Sequence, residues 1–203
     1  AAHFTVPKSG QLVLDLGCGC GVIGLILAYR FADVTVCCLE FQEDLAALAE
    51  ENSRRNGFGE RLGVLRGDVR TIAGLMTPES YDLVVCNPPY RKFRGLPGKD
   101  ELVEQVKINT GIKISKTANL YTFFLIKGAH QLADGGRAAF IIPYEFLNAD
   151  YGRVVKKFLL DQGFLRKVLI LGKEIQPFSD VITTTCIVCL ERTKTKSPPD
   201  VQV

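Results

Sequence analysis

The chain has only two histidines, no apolar run approaching eighteen residues, no internal repeat and a net charge of just +3 at pH 7. Each shortfall excludes something. Without a long apolar run no membrane-spanning helix is expected, and the start, Ala1-Ala-His-Phe-Thr5, has neither the basic flank nor the length of a signal peptide. The one C-x-x-C, Cys186 to Cys189, has no second pair and no nearby histidine to complete a four-ligand zinc site. It lies in an apolar strand pattern, where residues three apart face opposite sides, so core packing is expected and no metal is. Cys18, Cys20, Cys37, Cys38 and Cys86 also fall mostly in apolar segments. They read as small buried hydrophobes of a reducing compartment, the cytoplasm, not as a disulfide scaffold. His130, one turn before the end of a helix, is expected to cap or face solvent rather than act as a base.

What is present fits one globular domain. At 203 residues, 47% hydrophobic and 23% charged, the chain is long enough for one well-buried core and short of two ordinary domains. Its charge is uneven. Between Arg91 and Asn119 seven basic residues (Arg91, Lys92, Arg94, Lys99, Lys107, Lys113, Lys116) face three acidic ones, so this segment carries +4 and the remainder −1. Such a patch favours a polyanionic partner, and a solvated lysine-rich loop is the plain alternative.

The chain is organised around Val13-Leu-Asp-Leu-Gly-Cys-Gly-Cys-Gly-Val-Ile-Gly24, where an apolar strand breaks into four glycines within eight positions. Gly17, Gly19 and Gly21 sit where the chain must reverse and let its backbone approach something closely. The helix that follows opens with unpaired N–H groups toward whatever the turn holds. A G-x-G-x-x-G match through Gly19, Gly21 and Gly24 is weak evidence for a dinucleotide. Asp15 discriminates better, because a carboxylate aimed at the turn suits a cationic or hydroxyl-rich ligand rather than a diphosphate.

Strand and helix patterns then alternate: strands over 11–16, 34–39, 61–66, 81–86, 137–142, 165–171 and 181–190, and helices over 22–30, 42–57, 118–132 and 151–162, the third closed by Asp134-Gly-Gly136. Strands separated by helices require parallel pairing, and the ligand then sits at the carboxyl ends of the strands. Only about nine residues, Pro177 among them, join the last two strands, which is short for a parallel crossover. An antiparallel last strand is therefore expected, in a doubly wound, mostly parallel seven-stranded α/β sheet. One domain over 1–191 and a frayed tail over 192–203 complete the reading.

Asp15, Glu40 and Asp68 follow the first three strands, so their carboxylates could line one cleft. Glu40 suits two vicinal ribose hydroxyls, and Asp68 the exocyclic amine of a purine. After the fourth strand comes Asn87-Pro-Pro-Tyr90. Two prolines stiffen the turn and remove two donors, leaving the Asn87 side-chain oxygen and the Pro88 carbonyl as acceptors beside the flat face of Tyr90. A planar amino group needs such a set, because its delocalised lone pair is unreactive until its hydrogens are held.

Asp15-Leu-Gly-Cys-Gly-Cys-Gly21 together with Asn87-Pro-Pro-Tyr90 resembles the class I S-adenosylmethionine-dependent methyltransferases whose acceptors are adenine N6 or a glutamine amide. The resemblance implies a Rossmann-like fold and S-adenosylmethionine held by Asp15, the glycine turn, Glu40 and Asp68. The first half, with Glu40-Phe-Gln42, is similar to enzymes that methylate an adenine in tRNA. The second half, with Asn119-Leu-Tyr-Thr-Phe-Phe124 and Asn148-Ala-Asp-Tyr-Gly152, resembles DNA adenine methyltransferases of restriction systems. In that group an aromatic residue after the fifth strand stacks on the extruded adenine, and Tyr151 matches its position. The expectation is thus adenine-N6 methylation of DNA, with Asn87, Pro88 and Tyr90 catalytic and Tyr151, Arg91 and Lys92 on the acceptor. Methylation of tRNA, methylation of a protein glutamine, and a non-catalytic nucleotide-binding scaffold are the alternatives. Nothing after Leu190 offers room for a target-recognition domain, so selection is expected from a larger chain or a partner.

Overall fold

Successive residues of the first strand are buried on opposite sides of one sheet. A computed structural model describes residues 5–90, 98–115, 118–171 and 184–193. In β1 (Leu12–Leu16), Val13 joins a cluster with Leu27, Val36 and Val85, whereas Leu14 and Leu16 join Phe123, Phe140 and Val84. The period-two alternation demands cover on both faces. α1 (Val22–Arg30) supplies it on the first face and α5 (Leu120–Gln131) on the second.

The chain continues through β2 (Thr35–Glu40), α2 (Glu43–Arg55), β3 (Leu62–Arg66), a 3-10 turn (Val69–Thr71), α3 (Ile72–Leu75) and β4 (Tyr81–Cys86). α4 (Lys99–Thr110), α5, β5 (Leu132–Pro143), a second 3-10 turn (Tyr144–Leu147), α6 (Asp150–Asp161), β6 (Leu165–Ile170) and β7 (Thr185–Glu191) complete it. The seven strands lie in the order β3-β2-β1-β4-β5-β7-β6. β1 to β5 pair in parallel, and β7 enters antiparallel between β5 and β6, as the short last connection requires. Strand order reverses between β1 and β4, which places the ligand crevice outside their carboxyl ends.

The structure corrects several expectations about the elements and the tail. The basic segment contains α4, bounded by Gly98 and Gly111 at φ 73° and 70°, with Asp100 and Glu101 in its first turn and Lys107 in its last. That charge order suits a helix dipole. Asp134-Gly-Gly136 does not close α5, which ends at Gln131, but lies inside β5. There Gly135 donates to the Arg192 carbonyl at 2.8 Å, and a Cβ on Gly136 would stand 2.7 Å from the Tyr81 carbonyl oxygen. Arg192, expected to begin a frayed tail, donates to the Gly136 carbonyl at 2.8 Å and ion-pairs with Glu79. Residues 194–203 lie outside the described residues.

His130 packs on the Phe158 ring at 5.9 Å between centroids instead of facing solvent, and burial lowers its pKa. All seven cysteines are free. Among the described residues no helix is long and apolar enough to cross a membrane.

Candidate active site

Three of the four glycines after β1 adopt left-handed backbone, Gly17, Gly19 and Gly21 at φ 74°, 58° and 84°. They differ in what faces them. A Cβ on Gly17 would stand 3.0 Å from Phe124 Cε1, and one on Gly21 3.2 Å from Ala49 Cβ, whereas one on Gly19 would meet none of the described residues within 4 Å. Gly19 is thus the open face of the turn, and Gly17 and Gly21 pack it onto α5 and α2. The Gly17 and Cys18 amides both donate to the Leu39 carbonyl, at 2.8 and 3.0 Å, which stitches the turn to β2.

One carboxylate holds this turn, and a second braces the helix that follows it. Glu40, the last residue of β2 and 7% exposed, accepts from the Gly19 amide at 2.9 Å through Oε2 and from the Gln42 amide at 2.8 Å through Oε1. A carboxylate offers about four acceptor sites, so the described contacts leave Glu40 two for a ligand. Asp15 lies within β1, on the side of Val13, and has no solvent exposure. Its Oδ2 accepts from the Gly24 amide at 2.9 Å, and its Oδ1 is buried without a hydrogen bond among the described residues. Burial, and to a smaller degree the charge of Glu40, pushes its pKa up to about 7 against the pull of the Gly24 amide. The expectation that Asp15 faces the turn is corrected: strand alternation turns it beneath α1, where it braces the first turn of that helix.

Asp68, beyond β3, caps the 3-10 turn by accepting from the Arg70 amide at 2.8 Å and also pairs with the Arg70 guanidinium. Arg70 in turn lies 5.8 Å from the centroid of Phe41. Sequence reasoning passes over Phe41 as a site residue. It is 61% exposed directly after Glu40, and an aromatic next to a strand-end carboxylate at the ligand end is the signal that marks it.

β4 brings the second motif alongside the turn. Asp15 pairs with Val85 in register, and Cys86 Sγ donates to the Leu16 carbonyl at 3.0 Å, so Asn87 begins where the glycine turn begins on the neighbouring strand. Asn87 is exposed and Pro88 buried. The Tyr90 hydroxyl contacts Asn87 Oδ1 at 3.2 Å and the Ile141 carbonyl of β5 at 3.0 Å, tying the motif across two strands. Burial raises the Tyr90 pKa to about 12, so the hydroxyl stays protonated. Tyr151, in the first turn of α6, is half-buried, with its hydroxyl 2.7 Å from that of Tyr121 and 3.1 Å from Asn119 Nδ2. Arg91 and Lys92 lie outside the described residues.

A family profile described as "Eco57I restriction-modification methylase" matches residues 29–178. The chain belongs to this family. The span matched to the Eco57I methylase profile takes in Glu40, Asp68, Asn87 to Tyr90 and Tyr151, and starts after the glycine turn. Over 108 residues the chain is 43% identical to "Type II methyltransferase M.AccI" of Acinetobacter calcoaceticus, covering 53% of this chain and 20% of that protein. It is 30% identical over 138 residues to "tRNA1(Val) (adenine(37)-N6)-methyltransferase" of Glaesserella parasuis, covering 68% of this chain and 53% of that one. The chain therefore spans about a fifth and about half of these two relatives. In fold it matches the type I restriction-modification methyltransferase subunit of Streptococcus thermophilus with a TM-score of 0.77, at 22% identity over 93% of this chain and 41% of that one.

Proposed function

We propose that the chain transfers a methyl group from S-adenosylmethionine to the exocyclic N6 amine of adenine in nucleic acid, with DNA as the acceptor. The observation that carries this reading is the placement of Asn87-Pro-Pro-Tyr90 on β4 directly beside the glycine turn on β1. Membership of the Eco57I methylase family supports it, as does the 43% identity to a type II methyltransferase. The relative named for tRNA, which covers more of this chain, makes tRNA the second reading.

The described residues fit the methyl donor. Gly19 presents an open backbone for its amino-acid part, Glu40 keeps two acceptor sites for the ribose hydroxyls, and Phe41 offers an exposed face for its adenine. Asp68, oriented by Arg70, accepts from the adenine amine. S-adenosylmethionine supplies an electrophilic methyl carbon on a sulfonium.

Asn87 Oδ1 and the Pro88 carbonyl accept the two hydrogens of the target amine, which turns its lone pair toward that carbon. Tyr90, anchored to β5 through its hydroxyl, holds the acceptors in place and lays its ring against the base. A base inside a duplex cannot present this nitrogen, so the adenine is extruded, and Tyr90 and Tyr151 recover part of the lost stacking. No strong base is needed, because the proton leaves from the methylated, more acidic amine. The basic segment around Arg91 and Lys92 meets the phosphates. A cytoplasmic location accords with the seven free thiols.

Offering labelled methyl donor with duplex DNA, tRNA or a glutamine-bearing release-factor protein tests the reading. Label on adenine N6 of DNA supports it and label in tRNA alone selects the second reading. Label on cytosine or on a protein glutamine overturns both.

A further inference from the structure

α5 runs antiparallel to β4 and β5, so its first turns lie at the ligand end of the sheet. Tyr121 and Phe124, three residues apart, share one side of that helix. The Phe124 ring lies where a Cβ on Gly17 would come within 3.0 Å, which seats the glycine turn. The Tyr121 hydroxyl lies 2.7 Å from that of Tyr151, and the two rings meet edge to face at 6.4 Å and 66°. Asn119, the residue before the helix, donates to the same Tyr151 oxygen at 3.1 Å. Tyr121 is 1% exposed, so its hydroxyl has few other partners, and burial chiefly keeps it protonated. Tyr151 follows β5 through the turn Tyr144–Leu147, and Tyr90 reaches Ile141 of the same strand. Both aromatic residues therefore belong to the end of the sheet where Asn87 stands.

We propose that Tyr121 is a positioning residue, its buried hydroxyl clamping Tyr151 at the acceptor side while Phe124, one turn along the same helix face, seats Gly17 at the cofactor side. Tyr121 acts on the acceptor through Tyr151 and touches neither reactant. α5 thus backs both halves of the site, and the halves separate on mutation. This rests on the reading of Tyr151 as a face against the target adenine.

The test uses the full chain with tritiated S-adenosylmethionine and adenine-unmethylated bacterial genomic DNA, native or heat-denatured. Tyr121→Phe should lower kcat/KM on native DNA about fivefold, as loss of one buried hydrogen bond does. The denatured strand should lose less, and the S-adenosylmethionine Kd should stay within about twofold, well inside that fivefold effect. Combining it with Tyr151→Phe should cost no more than Tyr151→Phe alone, because both remove one interaction. Asn119→Ala should act in the same direction. Phe124→Leu should do the reverse, weakening cofactor binding while leaving the ratio of native to denatured substrate unchanged. Wild-type behaviour of Tyr121→Phe, strict additivity with Tyr151→Phe, or a parallel loss of cofactor affinity overturns the proposal. If the wild-type chain methylates no adenine, the proposed function fails separately. The clamp is then read from Tyr151 ring-flip rates by NMR, which Tyr121→Phe should raise and which, unchanged, refute it.

Discussion

Asp15 holds the Gly24 amide at 2.9 Å from a position with no solvent exposure, and its other oxygen has no hydrogen-bond partner among the described residues. A carboxylate so placed is costly to ionise. Its pKa rises from the ordinary aspartate value of 3.8 to about 7. Between these values Asp15 is protonated in the folded chain and ionised in the unfolded one, so its own contribution to stability falls as pH rises from about 4 to about 7 and levels off above. The full span corresponds to about 4 kcal/mol. Asp15→Asn keeps an acceptor for Gly24 and removes the titration. Urea unfolding at several pH values should show the variant equal to wild type near pH 4 and more stable above pH 7. A wild-type-minus-variant difference that is flat with pH would contradict this.

Glu40 accepts from two backbone amides with two different oxygens. Glu40→Gln leaves one acceptor oxygen, so one amide loses its partner and the paired acceptance of two ribose hydroxyls is lost. Calorimetric affinity for S-adenosylmethionine should fall about a hundredfold, as expected when a buried charged acceptor is removed. Glu43→Ala is the control, because Glu43 is an exposed partner of Arg66 and should change little.

How much of this is legible in sequence depends on whether the signal is local. The glycine turn, β1 to β4 and the motif at Asn87 are written in contiguous residues and stand where the sequence places them. α4 escapes the sequence reading because its charges hide a weak apolar stripe, although Gly98 and Gly111 mark both its ends. Asp134-Gly-Gly136 has the composition of a turn. Only the distant Arg192 and Tyr81 show that it is a close backbone approach within a strand. Asp15 precedes the glycines and so suggests the cleft, but alternation along β1 decides its direction. Tyr121 reaches Tyr151 across thirty residues of chain, and no local pattern carries such a contact.

Gly152, directly after Tyr151, is closely confined. A Cβ there would stand 1.7 Å from the Phe146 carbonyl oxygen. Gly152→Ala must push α6 off the turn Tyr144–Leu147, with a cost of about 3 kcal/mol. Gly63→Ala, with none of the described residues within 4 Å of the new atom, should stay within about 0.5 kcal/mol of wild type. Thermal unfolding of both variants checks the contrast.

Single-turnover methyl transfer by Asn87→Ala measures the central claim most directly. Asn87 is exposed and its side-chain contact is with the Tyr90 hydroxyl, so its removal should leave the fold and S-adenosylmethionine affinity nearly intact. Its oxygen serves the amine as that amine changes shape, so the transfer step should slow by about two to three orders of magnitude, the scale of losing one preorganised polar contact to a reacting group. A transfer rate equal to wild type, with label still on adenine N6, would contradict the account.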